Sequence, residues 1–379
     1  MIPDSNPFRP SFGASPLKLG GRDFEVNSFL YGLYGGVGSM QRVVLISGAR
    51  GIGKTVLLNE FEDTARSMGW IVLRAYPDAH MVEHLRDSAI PEALAALDYA
   101  PRDGRRISGV SVAGIGSIKV DAPPPADTPL PTLISRLRAL ARAAHAHEAG
   151  ILLTLDEIQA VDVNQLSELA TAVQDLVRDD ADIAFASAGL TFGIDALLKH
   201  PGTTFMRRAH RLELAPLTDE VVARVLTETA ESGGRRFTES ALSRAVELVH
   251  GYPYLIQLVG ALAWTKASIA GTTVMTDKHV TELAPEIVQH MGNQVHAIAL
   301  KTTTDREHEF LSAMAQCDTD QLGAIPIAAI AQRLGKTTKA LSMVRRGLID
   351  KELITPARYG ALRFVLPYFQ DYLLMQTHR

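Results

Sequence analysis

The sequence predicts a parallel α/β core followed by two smaller modules, the first all-helical and the second a mix of helices and a strand pair. Three observations carry this. Short, nearly continuous apolar runs alternate with helical patterns over roughly the first 215 residues, as strands covered on both faces require. A glycine-rich turn, GARGIGKT at 48–55, stands between the first such run and a helical stretch. After APLTDE at 215–220 the strand pattern stops and only helical periodicity continues.

The elements follow in order. Strands are expected at 42–47 (RVVLIS), 70–75 (WIVLRA), 151–155 (ILLTL), 182–187 (DIAFAS) and 211–215 (RLELA). ISGVSVAGIGSIKVD at 107–121 breaks the alternation. Val110 and Val112 share one parity, Ile118 and Val120 follow Gly114-Ile115-Gly116, and an inserted β-hairpin is expected. DAPPPADTPLP then reads as a stiff connector, and 133–147 as an amphipathic helix leading back into the sheet. Thr218 is placed to cap the first helix of the second module. Further helices are expected at about 239–249, 254–267 and 277–300. From about residue 303 the order is helix, short helix, helix, a strand pair within ELITPARYGALRFVLP, and a last helix. The expected domains are therefore 1–216, 217–301 and 302–379.

Composition narrows the function classes. The 379 residues carry a net charge of -4, so nothing global recruits nucleic acid or anionic lipid. The single cysteine, Cys317, excludes an internal disulfide and fits a reducing compartment. The N-terminal MIPDSNPFRPSFG has neither a basic nor an apolar signal region, and no apolar run approaches the ~20 residues of a membrane span. A cytoplasmic protein without membrane partners is expected.

The chemistry concentrates at two places. Gly48-Ala49-Arg50-Gly51-Ile52-Gly53-Lys54-Thr55 fits G-x-x-x-x-G-K-[ST], between a strand and a helix. Glycines there let backbone N–H groups converge on phosphate oxygens, and the helix starting near Lys54 aims its N-terminal N–H groups at the same anion. Lys54 would reach the β- and γ-phosphates, and Thr55 would ligate Mg²⁺. The third strand then ends in Asp156-Glu157. Asp156 is placed to hold the metal and Glu157 to polarise an attacking water. An α/β P-loop NTPase core follows, with an additional strand beside the cradle strand. Ser187, at the end of the next strand, either meets the γ-phosphate or the attacking water, or is a plain turn serine.

LGGRDFEVNSFL, GARGIGKT, LLTLDEIQ, SAGL, the arginine pair before the fifth strand and HGYPYLIQLVG occur in that order. In this the chain resembles the AAA+/STAND ATPases, in particular those similar to the origin recognition complex and the archaeal-type ATPases with a D-E-x-Q Walker B. The resemblance implies ATP and Mg²⁺ as ligands, a helical lid and a C-terminal winged helix. It places Gly21-Arg22-Asp23 near the adenine. It implies Arg208, or failing that Arg207, as a finger for a neighbour's γ-phosphate, which would require assembly. It implies Gly251-Tyr252-Pro253 as the lid turn packing on the base. One departure stands out. Many members carry a lid arginine at the γ-phosphate, and GYPYLIQ has none, which favours a slow switch over a processive motor.

The last module carries a local charge. From Arg333 to Arg363 there are eight basic residues against Asp350 and Glu352. Lys339, Arg345 and Arg346 lie off the apolar face formed by Leu341, Val344 and Leu348, consistent with contacts to duplex DNA. Docking of a protein partner fits the same module. His80-Met81-Val82-Glu83-His84 satisfies H-x-x-E-H, but its place after the second strand of an NTPase core argues against zinc. His145 and His147 do not share a helical face. The expectation is an ATP-binding, ATP-hydrolysing switch coupled to a winged helix. The alternatives are an ATP-locked DNA-binding initiator or regulator, and a non-enzymatic signalling or defence scaffold.

Overall fold

The computed structural model describes residues 5–11, 20–98, 111–112, 131–320 and 323–377. Its main sheet is parallel, with β1 (Val43–Ser47), β2 (Ile71–Ala75), β3 (Ser111–Val112), β4 (Ile151–Leu155), β5 (Ile183–Gly189) and β6 (His210–Glu213) in the order β3-β2-β4-β5-β1-β6. β5 thus lies between the cradle strand β1 and the acidic strand β4, as the additional-strand arrangement requires. Every residue of β4 and β5 is buried, because helices cover both faces. The helices α1 (Asp23–Tyr34), α2 (Lys54–Ser67), α3 (Ile90–Asp98), α4 (Leu133–His145), α5 (Val163–Arg178) and α6 (Thr191–Lys199) belong to this part.

Of the segment 107–121 expected as a hairpin, residues 111–112 are described, and they form β3. It pairs parallel with β2 through Val72↔Ser111 and Leu73↔Val112. The rest of that segment and the proline-rich connector lie outside the described residues.

Two polar anchors fix the core. Arg42 is buried and donates to Gly32 O and Leu33 O at the end of α1, pairs with Asp182 at 2.9 Å, and lies over the Trp70 ring. Glu62 on α2 is buried and accepts from Thr154 of β4 at 2.8 Å and from Arg74 and Arg66. A buried carboxylate is tolerable only with such partners.

The chain continues as α7 (Asp219–Ser232), α8 (Glu239–Val249), α9 (Pro253–Ile269) and α10 (Ala284–Met291). The two-residue strands β7 (Arg236–Phe237) and β8 (Val274–Met275) pair beside them. The single helix expected at 277–300 is interrupted. Pro285 starts α10 afresh, because it has no N–H to extend a preceding turn. A π turn then spans Gly292–His296. A Cβ at Gly292 would lie 2.5 Å from the Tyr372 ring, so the turn admits close approach of the last helix.

The remainder comprises α11 (Asp305–Ala315), α12 (Ile327–Arg333), α13 (Ser342–Asp350), α14 (Phe369–Thr377) and an antiparallel sheet of β9 (Ile325–Pro326), β10 (Ile354–Arg358) and β11 (Ala361–Phe364), ordered β10-β11-β9. One apolar cluster runs from the α2 face of the sheet (Phe29, Leu57, Phe61) into α7–α9 (Val222, Leu255, Trp264). A second fills the opposite face of the sheet. A third holds α11–α14 together around Phe310, Leu348 and Phe369, with Ala49 of the cradle packed against it. Among the described residues no helix is long and apolar enough to cross a membrane.

His296 closes the junction between the helical part and α14. It is 0% exposed, with its ring 5.0 Å from Phe369 and 5.3 Å from Tyr372. Burial pushes its imidazole down to about 4 from an ordinary 6.5. The unfolded chain therefore takes up the proton first as pH falls. The stability tied to the neutral ring is present above about pH 6.5 and is lost between there and about pH 4. The His296→Leu variant is expected to lose about 2 kcal/mol less than wild type between pH 7 and pH 5, measured by denaturant unfolding at each pH.

Candidate functional site

β1 delivers the chain at Ser47 into a loop that only glycine can follow. Gly48, Gly51 and Gly53 have φ of +146°, +76° and +97°. A Cβ at Gly48 would also stand 2.9 Å from Leu214 O. Gly53 is the cap residue of α2, whose first turn carries no acidic side chain. The loop and the first turn of α2 line a cavity of about 440 Å³. It is closed by Arg9 and Ser11 of the N-terminal segment, by Leu217 and Val225, by Pro253, Tyr254 and Gln257 of α9, and by Gln294, Val295 and Ile298. It therefore lies beyond the carboxyl ends of the sheet strands, where open α/β sheets build sites.

Lys54 enters this cavity with its side chain almost fully buried. Its ammonium donates to Gly48 O at 2.7 Å and Ala49 O at 3.0 Å. Burial lowers its pKa, while the charges of Glu157, Glu352 and Asp156 act to raise it. Thr55 Oγ1 donates to Asp156 Oδ2 at 2.6 Å, joining the first turn of α2 to the end of β4. Asp156 Oδ1 accepts from Glu157 N at 2.8 Å. Burial raises the Asp156 pKa, with the Thr55 and Glu157 hydrogen bonds opposing. The cradle, Lys54, Thr55, Asp156 and Glu157 thus come together in one cavity. Arg50 and Ile52 line it too.

A hydroxyl and a carboxylate oxygen in contact, beside a lysine and free helix N–H groups, form the hard oxygen set that suits Mg²⁺ with retained waters. Among the described residues no group of three or more His, Cys, Asp or Glu could hold a metal by itself. His80 is exposed and His84 packs edge-on against Tyr76.

Gln159 is the residue that the motif reading missed. Its amide Nε2 donates to Glu157 Oε2, and its Oε1 accepts from Leu190 N at 3.1 Å. Glu157 itself is left-handed, with φ of +50°. Gly189 and Gly193 leave room for Gln159, since a Cβ on either would come within 2.5 Å of it. The signal was present in the sequence as the last letter of DEIQ, but its partner, the 190–191 turn, is 31 residues away.

The other expected residues divide. Arg22 lines the cavity and is buried, donating to Ala215 O at 2.7 Å and Ile52 O at 3.4 Å. Pro253 lines it, but Tyr252 does not. The Tyr252 hydroxyl turns away and donates to Val365 O at 2.9 Å, and burial pushes its phenol up to about 12. Tyr254, two residues on, takes the wall position, because α9 starts at Pro253 and the first helical turn carries its side chain round to the cavity. Ser187 is fully buried in mid-strand, level with Leu45 and Leu155, and its hydroxyl has no partner among the described residues. β5 runs on to Gly189, so Ser187 stops short of the cavity. Arg208 is exposed at the end of the turn Pro201–Arg208 with no partner among the described residues. Arg207 donates to Leu198 O at 2.7 Å.

Residues 18–182 match the family model described as an AAA ATPase domain, and residues 293–373 match a domain of unknown function (DUF8462). A Walker-type ATPase of Pyrococcus abyssi has the same fold, with a TM-score of 0.66 at 13% identity over 97% of this chain and 99% of that one. The Aeropyrum pernix ORC2 protein, solved in ADPNP–ADP complexes, gives a TM-score of 0.63 at 16% identity over 97% and 98%. No curated protein matches. The segment that matches the AAA ATPase domain model contains both the cradle and the end of β4, whose charged groups meet in the cavity.

Gly251 joins this domain to the helices that close its cavity. Its φ is +72°, its carbonyl accepts from Leu217 N at 2.8 Å, and a Cβ would lie 2.5 Å from Leu217 O. Gly251→Ala is expected to destabilise the protein by about 2 kcal/mol, from the left-handed backbone and the backbone clash together, as read by chemical denaturation.

Proposed function

We propose that the chain is an ATP-hydrolysing switch in which nucleotide state sets the position of a C-terminal winged helix. The proposed parts are a core to about residue 216, a helical lid to about 301 and the winged helix beyond. The observation that carries the reading is the 2.6 Å contact between Thr55 Oγ1 and Asp156 Oδ2, with Lys54 and Glu157 facing the same cavity.

In this reading the N–H groups of 51–55 and the Lys54 ammonium bind the β- and γ-phosphates, and Lys54 exchanges its two cradle carbonyls for phosphate oxygens. Thr55 and Asp156 would hold Mg²⁺, which would neutralise charge on those oxygens. Glu157 accepts the proton of the attacking water, and Gln159 keeps its carboxylate aimed. Arg22, Tyr254 and the apolar wall of Leu217 and Val225 sit where the base and ribose would lie. The exposed, unpaired Arg208 is offered to a neighbouring copy, so full turnover calls for assembly.

Duplex DNA is the second reading, and a specific observation favours it. Among the eight basic residues of 333–363, Lys336, Lys351 and Arg358 are paired with Glu309, Glu307 and Asp320, and Arg333 with Gln316. Lys339, Arg345, Arg346 and Arg363 have no such partner among the described residues, and the first three lie on or just before α13, which supports phosphate contacts through them.

Steady-state hydrolysis with and without duplex DNA tests both readings. Glu157→Gln is expected to keep ATP binding and lose turnover by 10²-fold or more, and Gln159→Ala to lose about tenfold. Turnover unchanged by Glu157→Gln contradicts the hydrolytic reading. DNA stimulation that Arg345→Ala with Arg346→Ala removes supports the second, and salt-independent indifference to DNA contradicts it.

A further inference from the structure

Residues 5–11 have no part in the chemistry above, yet they are built into the cavity wall. Three contacts fasten them along α9. Asn6 Nδ2 donates to Ala261 O at 3.2 Å, and Arg9 N donates to the side-chain Oε1 of Gln257 at 2.9 Å. The buried Phe8 ring lies edge-on to Trp264, with 6.5 Å between centroids. Gly260 opens the place for that ring, since a Cβ there would overlap it. Strapped in this way, the segment brings Arg9 and Ser11 to the cavity.

Gln257 takes a defined orientation from this strap. A backbone N–H can only donate, so the amide oxygen is fixed on Arg9 and the Nε2 branch points away from it. Gln257 is 8% exposed and lines the cavity, and its Nε2 has no hydrogen-bond partner among the described residues. A buried amide with unused N–H donors at a cavity wall calls for an acceptor on a ligand. Its place along α9 says which part of a nucleotide that is. α9 begins against the cradle: a Cβ on Gly53 would lie 3.6 Å from Pro253 Cγ, and one on Gly51 3.9 Å from Tyr254 Cβ. Gln257 comes one helical turn later, about 5 Å along the axis from that contact. Ile256 beside it, with Leu217, Val225 and Val295, supplies the apolar part of the lining. Apolar walls with one oriented polar group suit a heterocyclic base, the walls covering its faces and the donor fixing its edge.

We propose that Gln257 reads the base: held by the N-terminal segment, it donates from Nε2 to a ring nitrogen of the purine. The inference rests on the reading that the cavity takes ATP, and adds to it the side chain that fixes the base. Adenine offers acceptors at its ring nitrogens 1, 3 and 7, and each suits an N–H donor. Were the amide turned round, its oxygen would face those lone pairs and repel them. Residues 5–11 act at one remove, as positioning residues that keep the oxygen on Arg9 N–H and the donor on the cavity side.

The test is calorimetric titration of the full chain, with Mg²⁺, by ATP, by its 1-deaza, 3-deaza and 7-deaza analogues, and by tripolyphosphate. Wild type is expected to bind one of the three analogues about tenfold more weakly than ATP. Gln257→Glu keeps an oxygen for Arg9 N–H and removes the donor. It is expected to bind ATP about tenfold more weakly than wild type does, and to bind that analogue as it binds ATP. Its affinity for tripolyphosphate is expected to stay at the wild-type level. Gln257→Met, with no charge to bury, is expected to show the same pattern and decides the question if Gln257→Glu does not fold. Wild type binding all four nucleotides alike, or a variant that keeps the wild-type gap between ATP and the analogue, overturns the role of Gln257. Loss of both ATP and tripolyphosphate in Lys54→Ala then leaves the site reading standing. Retention of both by Lys54→Ala sinks the site reading and this inference with it.

Discussion

Lys54 holds its ammonium against two cradle carbonyls while its side chain is almost entirely removed from water. An unpaired cation in such a place costs several kcal/mol, so the surroundings must supply charge and hydrogen bonds of the opposite sense. They come from three separate stretches of chain. The glycines of 48–53 bend the backbone so that its carbonyls reach the ammonium. The end of β4 brings Asp156 and Glu157, and the turn after α13 brings Glu352. Strand order serves this arrangement, because β5 between β1 and β4 sets the width of the gap that Thr55 and Asp156 bridge at 2.6 Å.

The same cavity explains why the parts of the chain are not independent. The apolar cluster on the α2 face continues into α7–α9, so the walls of the cavity and the core of the helical part are one packed body. The C-terminal module is fastened on two sides. Tyr252 and Tyr368 donate across to Val365 O and Leu248 O, and the His250 ring lies edge-on to Tyr368 at 5.1 Å. Glu352 adds a third, charged link to Thr191. Packed interfaces of this kind have discrete arrangements and do not deform continuously, which is what the proposed switch would need.

Much of the fold and the centre of the site were legible because their signals are local. The apolar run that became β4 matches its expected span, and those of β1, β2 and β5 differ from theirs by a residue or two at their ends. The cradle and Asp156-Glu157 are contiguous motifs whose backbone demands, left-handed glycines and a strand end, are written in the same few letters. Tertiary relations were not legible. Ser187 looked like a strand end, but β5 continues two residues further and leaves it buried. Tyr252 and Tyr254 are equivalent in sequence, and only the start of α9 decides which faces the cavity. That β3 pairs parallel with β2 could not be read from the sequence, since alternation within a short segment says nothing of its partner. Gln159 and Glu352 act on segments 31 and 161 residues away.

The central claim is that one cavity, built around Lys54, binds ATP with Mg²⁺ held by Thr55 and Asp156. Calorimetric titration of ATP into wild type, Lys54→Ala and Asp156→Asn, each with Mg²⁺ and again with the metal chelated, tests it most directly. The account predicts binding by wild type that weakens on chelation, near-complete loss in Lys54→Ala, and in Asp156→Asn an affinity that no longer responds to Mg²⁺. Equal ATP affinity in all three proteins, with or without the metal, would contradict it.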